Sequence, residues 1–325
     1  MQRSLIRQFY RDMLLARQFE EAAAEQYRQG QIAGFLHLYP GEEAVAVGTL
    51  RAADPGDYVV STYREHVHAM VRGIPPEAVM AELFGRAGGC SRGYGGSMHL
   101  FSPEHRFLGG YAIVGETFPV ATGVGYWLRM TDSADAVLCY FGDGAVNQGT
   151  FHESLNMASL WKLPILFVCE NNHYQIGTEI HRHSALAEVH RRACAYGMLG
   201  RRVDGMDVLA VYEASREALA QVRSGAGPFL LECETYRYRG HSMADPASYR
   251  SAIEVEELRA RDPLASLWRK AEAAGWMTAD ERRAIEAEVT AAVDGAVAFA
   301  EQSPPPTELQ AGVYARPLDL YRGAP

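Results

Sequence analysis

The chain has 325 residues, of which 48% are hydrophobic and 22% are charged, a balance typical of a globular protein with a sizeable core. Its formal net charge of −9 disfavours a nucleic-acid partner, because binding a phosphate backbone requires a basic surface. No apolar stretch approaches the length of a membrane span, and charged residues interrupt the N-terminal apolar pattern, unlike a signal peptide. We therefore expect a cytoplasmic protein that binds neither nucleic acid nor membrane.

The N-terminal segment predicts a long amphipathic helix, because Leu5, Phe9, Met13 and Phe19 recur at helical spacing. This helix would form an N-terminal arm over about residues 1–30. The glycine-rich stretch 85–97 lacks the Gly-Lys-Ser/Thr of a phosphate-binding loop and is predicted to be a flexible loop lining a site. Similarly, the glycines around residue 124 lack the last glycine of a dinucleotide fingerprint, which disfavours NAD.

Two apolar runs, 136–141 and 164–169, are predicted to be buried strands, and the segment 148–161 between them has the pattern of a crossover helix. In such a βαβ unit, Asp143 and Asn172 follow the carboxyl ends of parallel strands, where open α/β sheets bind ligands. A carboxylate and a side-chain amide form a hard oxygen site, suited to Mg²⁺ or Ca²⁺. Either loop alone is more often a simple turn, but the pair favours a site.

The C-terminal half is predicted to contain a helix over 208–222, a strand over 228–234 and a long polar loop over 236–250. Three Ala/Glu/Arg-rich helices follow at 254–261, 264–274 and 279–302, within a C-terminal helical extension over about 253–325. We expect the loop 236–250 to be mobile and to become ordered when a ligand binds. The five scattered cysteines, three of them in apolar runs, are expected to be reduced and structural.

Several motifs resemble a known family. The Gly-Asp-Gly at 142–144 and the Asn-Asn at 171–172 resemble the thiamine diphosphate (ThDP) signature of transketolase-like enzymes. Six further motifs, in one collinear order over roughly residues 5–300, resemble the E1 α subunits of 2-oxo acid dehydrogenase complexes, with the pyruvate branch closest. These motifs occupy residues 37–44, 62–66, 95–99, 113–115, 147–149 and 236–246.

The resemblance implies a fold and a cofactor. The fold would be a single α/β domain over 1–325, with a mostly parallel sheet and helices on both faces, as in the diphosphate-binding half of transketolase-like enzymes. The cofactors would be ThDP and Mg²⁺, the latter held by the Asp143 and Asn172 side chains. By resemblance, a backbone carbonyl from Tyr174 would complete the set of protein ligands.

The resemblance also implies roles for other residues. Tyr63 and Arg64 would reach the cofactor, as would the backbone near Ala112 and Val114, where Ala112 replaces a family glycine. His37 and His241 would line the channel to the reactive carbon, bind the 2-oxo acid carboxylate and assist acyl transfer. The predicted cofactor-binding residues are Tyr63, Arg64, Ala112, Val114, Gly142, Asp143, Gly144, Ala145, Asn172, Tyr174 and His241. The backbone amides of Gly144 and Ala145 are predicted to lie at the N-terminus of the crossover helix, where they would bind the phosphate.

The family implies protein partners as well. A separate β subunit would supply the glutamate that activates ThDP, giving an α₂β₂ heterotetramer that transfers an acyl group to the lipoyl group of E2. Within the family, loops 174–178 and 240–246 favour pyruvate over acetoin or branched-chain 2-oxo acids. A non-catalytic scaffold is the alternative of a different class. The remaining histidine clusters, at 66 and 68, at 152, and at 181 and 183, are assigned to surface or packing.

Overall fold

A six-stranded parallel sheet organises the chain, and the computed structural model describes residues 2–307. The strands are β1 (Tyr58–Thr62), β2 (Phe107–Tyr111), β3 (Val137–Gly142), β4 (Ile165–Asn171), β5 (Tyr174–Gln175), β6 (Thr178–Glu179), β7 (Leu199–Asp204) and β8 (Phe229–Glu234). The order across the sheet is β2-β1-β3-β4-β8-β7, while β5 and β6 form a separate antiparallel hairpin. The chain leaves β1 first for β2 on one side and then for β3 on the other, so the topology reverses at β1.

Eleven α-helices surround the sheet within the described residues. They are α1 (Arg3–Arg28), α2 (Glu43–Ala52), α3 (His66–Arg72), α4 (Pro76–Leu83), α5 (Thr117–Met130), α6 (Gly149–Leu160), α7 (Ile180–His183), α8 (Val208–Gln221), α9 (Ala252–Arg259), α10 (Pro263–Ala273) and α11 (Ala279–Gln302). None of the helices within residues 2–307 is long and apolar enough to cross a membrane. The predicted βαβ unit is present as β3, α6 and β4.

Both faces of the sheet are buried, as the continuous apolar pattern of its central strands requires. Along β3, Val137, Cys139 and Phe141 point into the core on one face, where they pack with α5 and α6. Leu138 and Tyr140 point into the core on the other face, which includes residues of α1, α2, α8 and α11. The predicted α/β fold with helices on both faces of a mostly parallel sheet is therefore confirmed.

The terminal helices are part of the main core. Helix α1 contributes Phe19, and α11 contributes Val289 and Val293, to the same hydrophobic core as the central strands. Helix α10 packs beside α1 through Leu264 and Leu267. The predicted N-terminal arm and C-terminal extension therefore exist as helices that cover the sheet, and the part of the extension beyond 307 lies outside the described residues.

Asp57 fixes the amino-terminal edge of the sheet. It immediately precedes β1 and is fully buried. Its Oδ1 accepts a hydrogen bond from the backbone N–H of Ala136, before β3, at 2.8 Å. Its Oδ2 accepts from the backbone N–H of Asp54 at 2.7 Å and from the guanidinium of Arg223, which follows α8. One carboxylate thus joins the entries of two neighbouring strands to a helix on one face.

We predict that Asp57→Ala lowers the free energy of unfolding by about 3 kcal/mol, because it leaves two backbone donors without their acceptor and removes the buried partner of a partly buried guanidinium. Asp54→Ala is the matched control, since Asp54 pairs with the same Arg223 at 3.0 Å but its side chain is 66% exposed. That change should cost less than about 1 kcal/mol. Urea titration measures both, and equal losses would contradict the buried clamp.

Candidate active site

A cavity of about 470 Å³ opens at the carboxyl edge of the sheet, beside the strand where the topology reverses. Tyr63 enters it directly after β1, and Asp143 enters it directly after β3. Because β3 and β4 pair in parallel with Gly142 opposite Glu170, the residues after both strands emerge at the same edge. Asn172, which follows β4, therefore lines the cavity together with Asp143. This is the crevice in which open α/β sheets bind their ligands.

All the residues proposed from the sequence for catalysis, cofactor binding and metal binding line this one cavity. They are His37, Tyr63, Arg64, Ala112, Val114, Gly142, Asp143, Gly144, Ala145, Asn172, Tyr174 and His241. The structure thus brings together segments separated by about two hundred positions in the chain. Their individual roles remain predictions.

The two proposed metal ligands are buried and oriented by the protein. Asp143 is 1% exposed, and within residues 2–307 its carboxylate has one partner, the Nε2 of His183 at 3.3 Å. Asn172 donates from Nδ2 to Glu42 at 3.0 Å, and its Oδ1 accepts from the backbone N–H of Tyr174 at 3.3 Å. Because the amide nitrogen is turned towards Glu42, the amide oxygen is the atom left for a cation.

The donor set decides which kind of ion fits. Among the residues described, no group of three or more His, Cys, Asp or Glu side chains converges in a metal-binding arrangement. A closed structural zinc site, which needs four such ligands, is therefore not formed by this part of the chain. One carboxylate and one amide oxygen suit Mg²⁺, which commonly takes one or two protein carboxylates and completes its octahedron with phosphate oxygens and water.

Two buried guanidinium groups line the cavity, beside the carboxylates of Glu42, Asp143 and Glu170. Arg64 is 5% exposed and Arg237 is 2% exposed, and both line the cavity. Burial, and then the positive charge of Arg237, lowers the pKa of Arg64. The Arg64 terminal nitrogens donate to the backbone carbonyls of Leu38 at 2.5 Å and His241 at 2.8 Å, so each retains one N–H for another acceptor. The arrangement favours an anion in the cavity.

Glu42 is a site residue that the sequence patterns did not single out. It is fully buried, lines the cavity and lies 3.9 Å from Arg64, measured from Oε2 to Nε. Burial raises the pKa of Glu42 to about 7, although the charge of Arg64 opposes this rise. Arg237 was also missed as an individual residue. Both belong to motifs that had been recognised, at 37–44 and 236–246, and membership of those motifs was the available signal.

His37, Tyr63 and His241 form an aromatic cluster on one wall of the cavity. The ring centroid of His37 lies 4.4 Å from that of Tyr63 and 5.0 Å from that of His241. Burial, followed by the charge of Arg64, lowers the pKa of His37 to about 2 and that of His241 to about 3. Both imidazoles are therefore neutral near pH 7. Among residues 2–307, the buried Nδ1 of His37 has no hydrogen-bond partner.

The segment after β3 differs from the prediction in one respect. Gly144 and Ala145 belong to a short 3₁₀ helix, Asp143–Asn147, and α6 begins only at Gly149. Their amides therefore lie at the start of this 3₁₀ helix, and the prediction that they lie at the start of the crossover helix is wrong. A Cβ on Gly144 would lie 2.5 Å from the side chain of Gln175, whereas one on Gly142 would meet no atom within 4 Å. Gly142 therefore faces open space.

The histidines assigned to packing or surface differ in their surroundings, and His152 and His181 are exposed. His66 and His68 are fully buried and bonded to carboxylates, His66 to Glu20 at 3.1 Å and His68 to Glu170 at 3.0 Å. His183 differs, because its ring reaches the carboxylate of Asp143. Hydrophobic periodicity does not identify His183 in the sequence, because the β5–β6 hairpin that precedes α7 brings it to Asp143.

The glycine-rich segment 85–97, expected to be a flexible loop lining a site, is hydrogen-bonded to one buried side chain. The buried carboxylate of Glu82, in α4, accepts four backbone hydrogen bonds from it. The donors are the N–H groups of Ser91, Gly93, Gly95 and Gly96, at 2.7 to 3.1 Å. No residue of 85–97 lines the cavity, although Met98, which follows it, does.

The loop 236–250 is extensively hydrogen-bonded in this structure. Arg237 donates to the carbonyl of Ile176 at 3.0 Å and to the hydroxyl of Tyr249 at 2.9 Å. Arg250 donates to the carbonyl of Tyr238 at 2.9 Å. These bonds hold the segment that carries His241 in this structure. Its expected mobility, and its ordering when a ligand binds, remain predictions.

Comparisons with known proteins agree along most of the chain. The family model described as dehydrogenase E1 component matches residues 11–308. The pyruvate dehydrogenase E1 component subunit alpha of Porphyra purpurea is 48% identical over 315 residues, covering 94% of this chain and 92% of the relative. The protein of the same name from Rhizobium meliloti (strain 1021) is 48% identical over 298 residues, covering 91% and 86%. The chloroplastic subunit alpha-3 of Oryza sativa subsp. japonica is 46% identical over 321 residues, covering 95% and 76%.

The depressed pKa values of His37 and His241 make stability depend on pH. The unfolded chain protonates these imidazoles near pH 6.5, but the folded chain does so only near pH 2 to 3. The two imidazoles therefore do not lower the free energy of unfolding above about pH 6.5. Below that pH the free energy of unfolding decreases, by about 1.4 kcal/mol per pH unit for His37. We predict that His37→Gln removes the contribution of His37 to this pH dependence. Between about pH 6.5 and 5.0, the free energy of unfolding of the variant should decrease by about 2 kcal/mol less than that of the wild type.

Urea titration at the two pH values measures this difference. His181→Gln is the control, because the side chain of His181 is 76% exposed. It should lose stability as the wild type does. The same pH dependence in His37→Gln and in the wild type would contradict a neutral buried imidazole at position 37.

Proposed function

The chain belongs to the dehydrogenase E1 component family, and from that membership we propose that it is the α subunit of a pyruvate dehydrogenase E1. With a β subunit, it would catalyse the ThDP-dependent oxidative decarboxylation of pyruvate and the reductive acetylation of the lipoyl group of E2. The observation that carries the proposal is the convergence of Asp143, Asn172 and Arg64 on one cavity at the carboxyl edge of the sheet.

The cavity fits the diphosphate half of ThDP and its Mg²⁺. Asp143 and the Asn172 amide oxygen would hold the ion, with the backbone carbonyl of Tyr174 as a third protein ligand. The remaining N–H groups of Arg64, together with the charge of Arg237, would balance the diphosphate. Gly142 leaves open space beside this position, so the backbone there can approach a bulky anion.

The exposed apolar side chains at the mouth of the cavity are the basis for proposing a partner subunit. Phe35, Ile113 and Ile176 line it, and their residues are 62%, 68% and 59% exposed. Large apolar side chains exposed together at a site mark an interaction surface. We propose that a β subunit covers this mouth in an α₂β₂ assembly and contributes the glutamate that activates the cofactor. Docking of E2 would then bring its lipoyl group to the covered site.

ThDP, when bound, supplies the carbon nucleophile and the electron sink that decarboxylation requires. The residues of this chain would bind and orient the 2-oxo acid. Its carboxylate would meet N–H donors of His37 and His241 in the positive field of Arg64 and Arg237. The negative charge of the substrate would raise the pKa of both imidazoles from their depressed values, so that Nδ1 of His37 can hold a proton during acyl transfer.

A cytoplasmic location is also proposed. All five cysteines are free, and Cys139, Cys169 and Cys233 are buried within strands of the sheet. Free thiols persist in reducing compartments, where structural disulfides are rare.

We predict that Asp143→Ala and Asn172→Ala each abolish Mg²⁺-dependent ThDP binding, because each removes one of two side-chain ligands from an ion with strict octahedral geometry. Calorimetry on the reconstituted α/β pair, titrated with ThDP at fixed Mg²⁺, measures the affinity. Glu153→Ala and Asn156→Ala, on the exposed side of α6, are matched controls that should bind as the wild type does. Wild-type affinity in either ligand variant would refute the metal assignment.

A further prediction concerns the substrate. In the α/β pair, kcat/KM for pyruvate should exceed that for 3-methyl-2-oxobutanoate by about tenfold or more, the scale set by a few extra methyl groups in a fitted pocket. Acetoin should be a poor substrate because it lacks the carboxylate that Arg64 and Arg237 favour. A dye-reduction assay compares the three, and a preference for the branched acid or for acetoin would assign the chain to another branch of the family. No turnover despite ThDP binding would favour a scaffold.

A further inference from the structure

We infer that His183 is a positioning residue for the metal ligand Asp143, an inference that rests on the proposed function. The Nε2 of His183 lies 3.3 Å from Oδ2 of Asp143, and the His183 side chain is 8% exposed. Within residues 2–307, Oδ1 of Asp143 has no hydrogen-bond partner. His183 therefore distinguishes the two carboxylate oxygens, because it occupies one and leaves the other for Mg²⁺.

The neighbours of His183 decide which ring nitrogen carries the proton. Its Nδ1 lies 3.2 Å from Nδ2 of Asn147. That same nitrogen of Asn147 lies 3.1 Å from the carbonyl oxygen of His183, which can only accept, so it must be the amide NH₂ group. A carboxylate oxygen can only accept, so Nε2 faces Asp143 as the donor and Nδ1 is the accepting nitrogen, beside Asn147 and the Ser184 hydroxyl. The ring hydrogen consequently sits on Nε2, where it is donated to Asp143.

The ring is held by more than one anchor. Ile180, at the start of α7, is buried, and the Glu179 side chain caps this short helix by accepting from the His181 backbone. Next to the ring, the hydroxyl of Ser184 lies 3.0 Å from Nδ1 and 3.1 Å from Nδ2 of Asn147, whose two N–H groups are shared among this hydroxyl, Nδ1 and the His183 carbonyl. The donor is therefore fixed before any ion arrives.

A fixed donor on one oxygen has a direct effect on the metal site. A carboxylate that can rotate freely about its last bond loses that freedom when it coordinates an ion, whereas one already held loses less. Substituting a hydrogen-bonding partner of a metal ligand typically lowers metal affinity by about 10–100-fold. His183 should therefore set the Mg²⁺ concentration at which the site fills, without itself touching the ion or the cofactor.

The test uses the reconstituted α/β pair and the Mg²⁺ concentration that gives half-maximal ThDP binding in calorimetry. His183→Ala should raise that concentration about tenfold. His183→Gln should restore most of the affinity, because the Nε2 of glutamine can donate where the Nε2 of histidine did. His181→Ala is the matched control on the same helix, with a side chain that is 76% exposed, and should match the wild type.

The outcomes are distinct. A purely structural role would lower the melting temperature of the metal-free pair while leaving the Mg²⁺ requirement unchanged, and an unchanged requirement in His183→Ala overturns the inference. Glutamine failing as badly as alanine also overturns it. If His183→Ala does not assemble, Asn147→Ala must raise the Mg²⁺ requirement, since it removes the amide that holds the His183 ring beside Asp143. Absence of Mg²⁺-dependent ThDP binding in the wild type refutes the proposed function itself, independently of any substitution.

Discussion

Parallel pairing of β1, β3 and β4, with both faces of the sheet buried, is the constraint on which the site depends. A strand covered on both faces can carry few polar side chains, so polar groups concentrate where the strands end. Parallel pairing places these ends at one edge, and the reversal of topology at β1 opens a crevice there. Tyr63, Asp143 and Asn172 reach the same cavity for this reason.

Within this frame the site is governed by charge. Arg64 and Arg237 are buried in one cavity, with Glu42 3.9 Å from Arg64, and burial together with the charge of Arg64 keeps His37 and His241 neutral. Buried like charges cost free energy unless they are compensated. An anion entering the cavity supplies that compensation, so affinity for a diphosphate or a carboxylate derives partly from relief of repulsion already present in the free chain.

Part of this arrangement was predictable from the sequence. Asp143 and Asn172 were found because each follows an apolar run whose length and composition identify a buried strand. The short strand β2 contains two adjacent glycines, and the edge strand β7 is largely exposed and contains Arg201 and Arg202, so neither has the apolar pattern of a central strand.

Other site residues were not predictable in this way. His37, Tyr63, Arg64 and His241 came from resemblance to family motifs, since local periodicity carries no information about loops that meet only in the folded chain. Neither an apolar run nor a family motif identifies His183. Its contact with Asp143 depends on a hairpin that brings α7 back over the 3₁₀ turn, a long-range geometry that no local pattern encodes.

The Asp57 clamp has a consequence for how such a protein diversifies. It secures the entries of β1 and β3 at the end of the sheet opposite the cavity, through a carboxylate that has no part in binding. Structural integrity and chemistry therefore occupy opposite ends of the same strands. Loops at the carboxyl edge can accumulate substitutions and acquire new specificities while the anchored end stays unchanged, which makes this scaffold evolvable without being fragile.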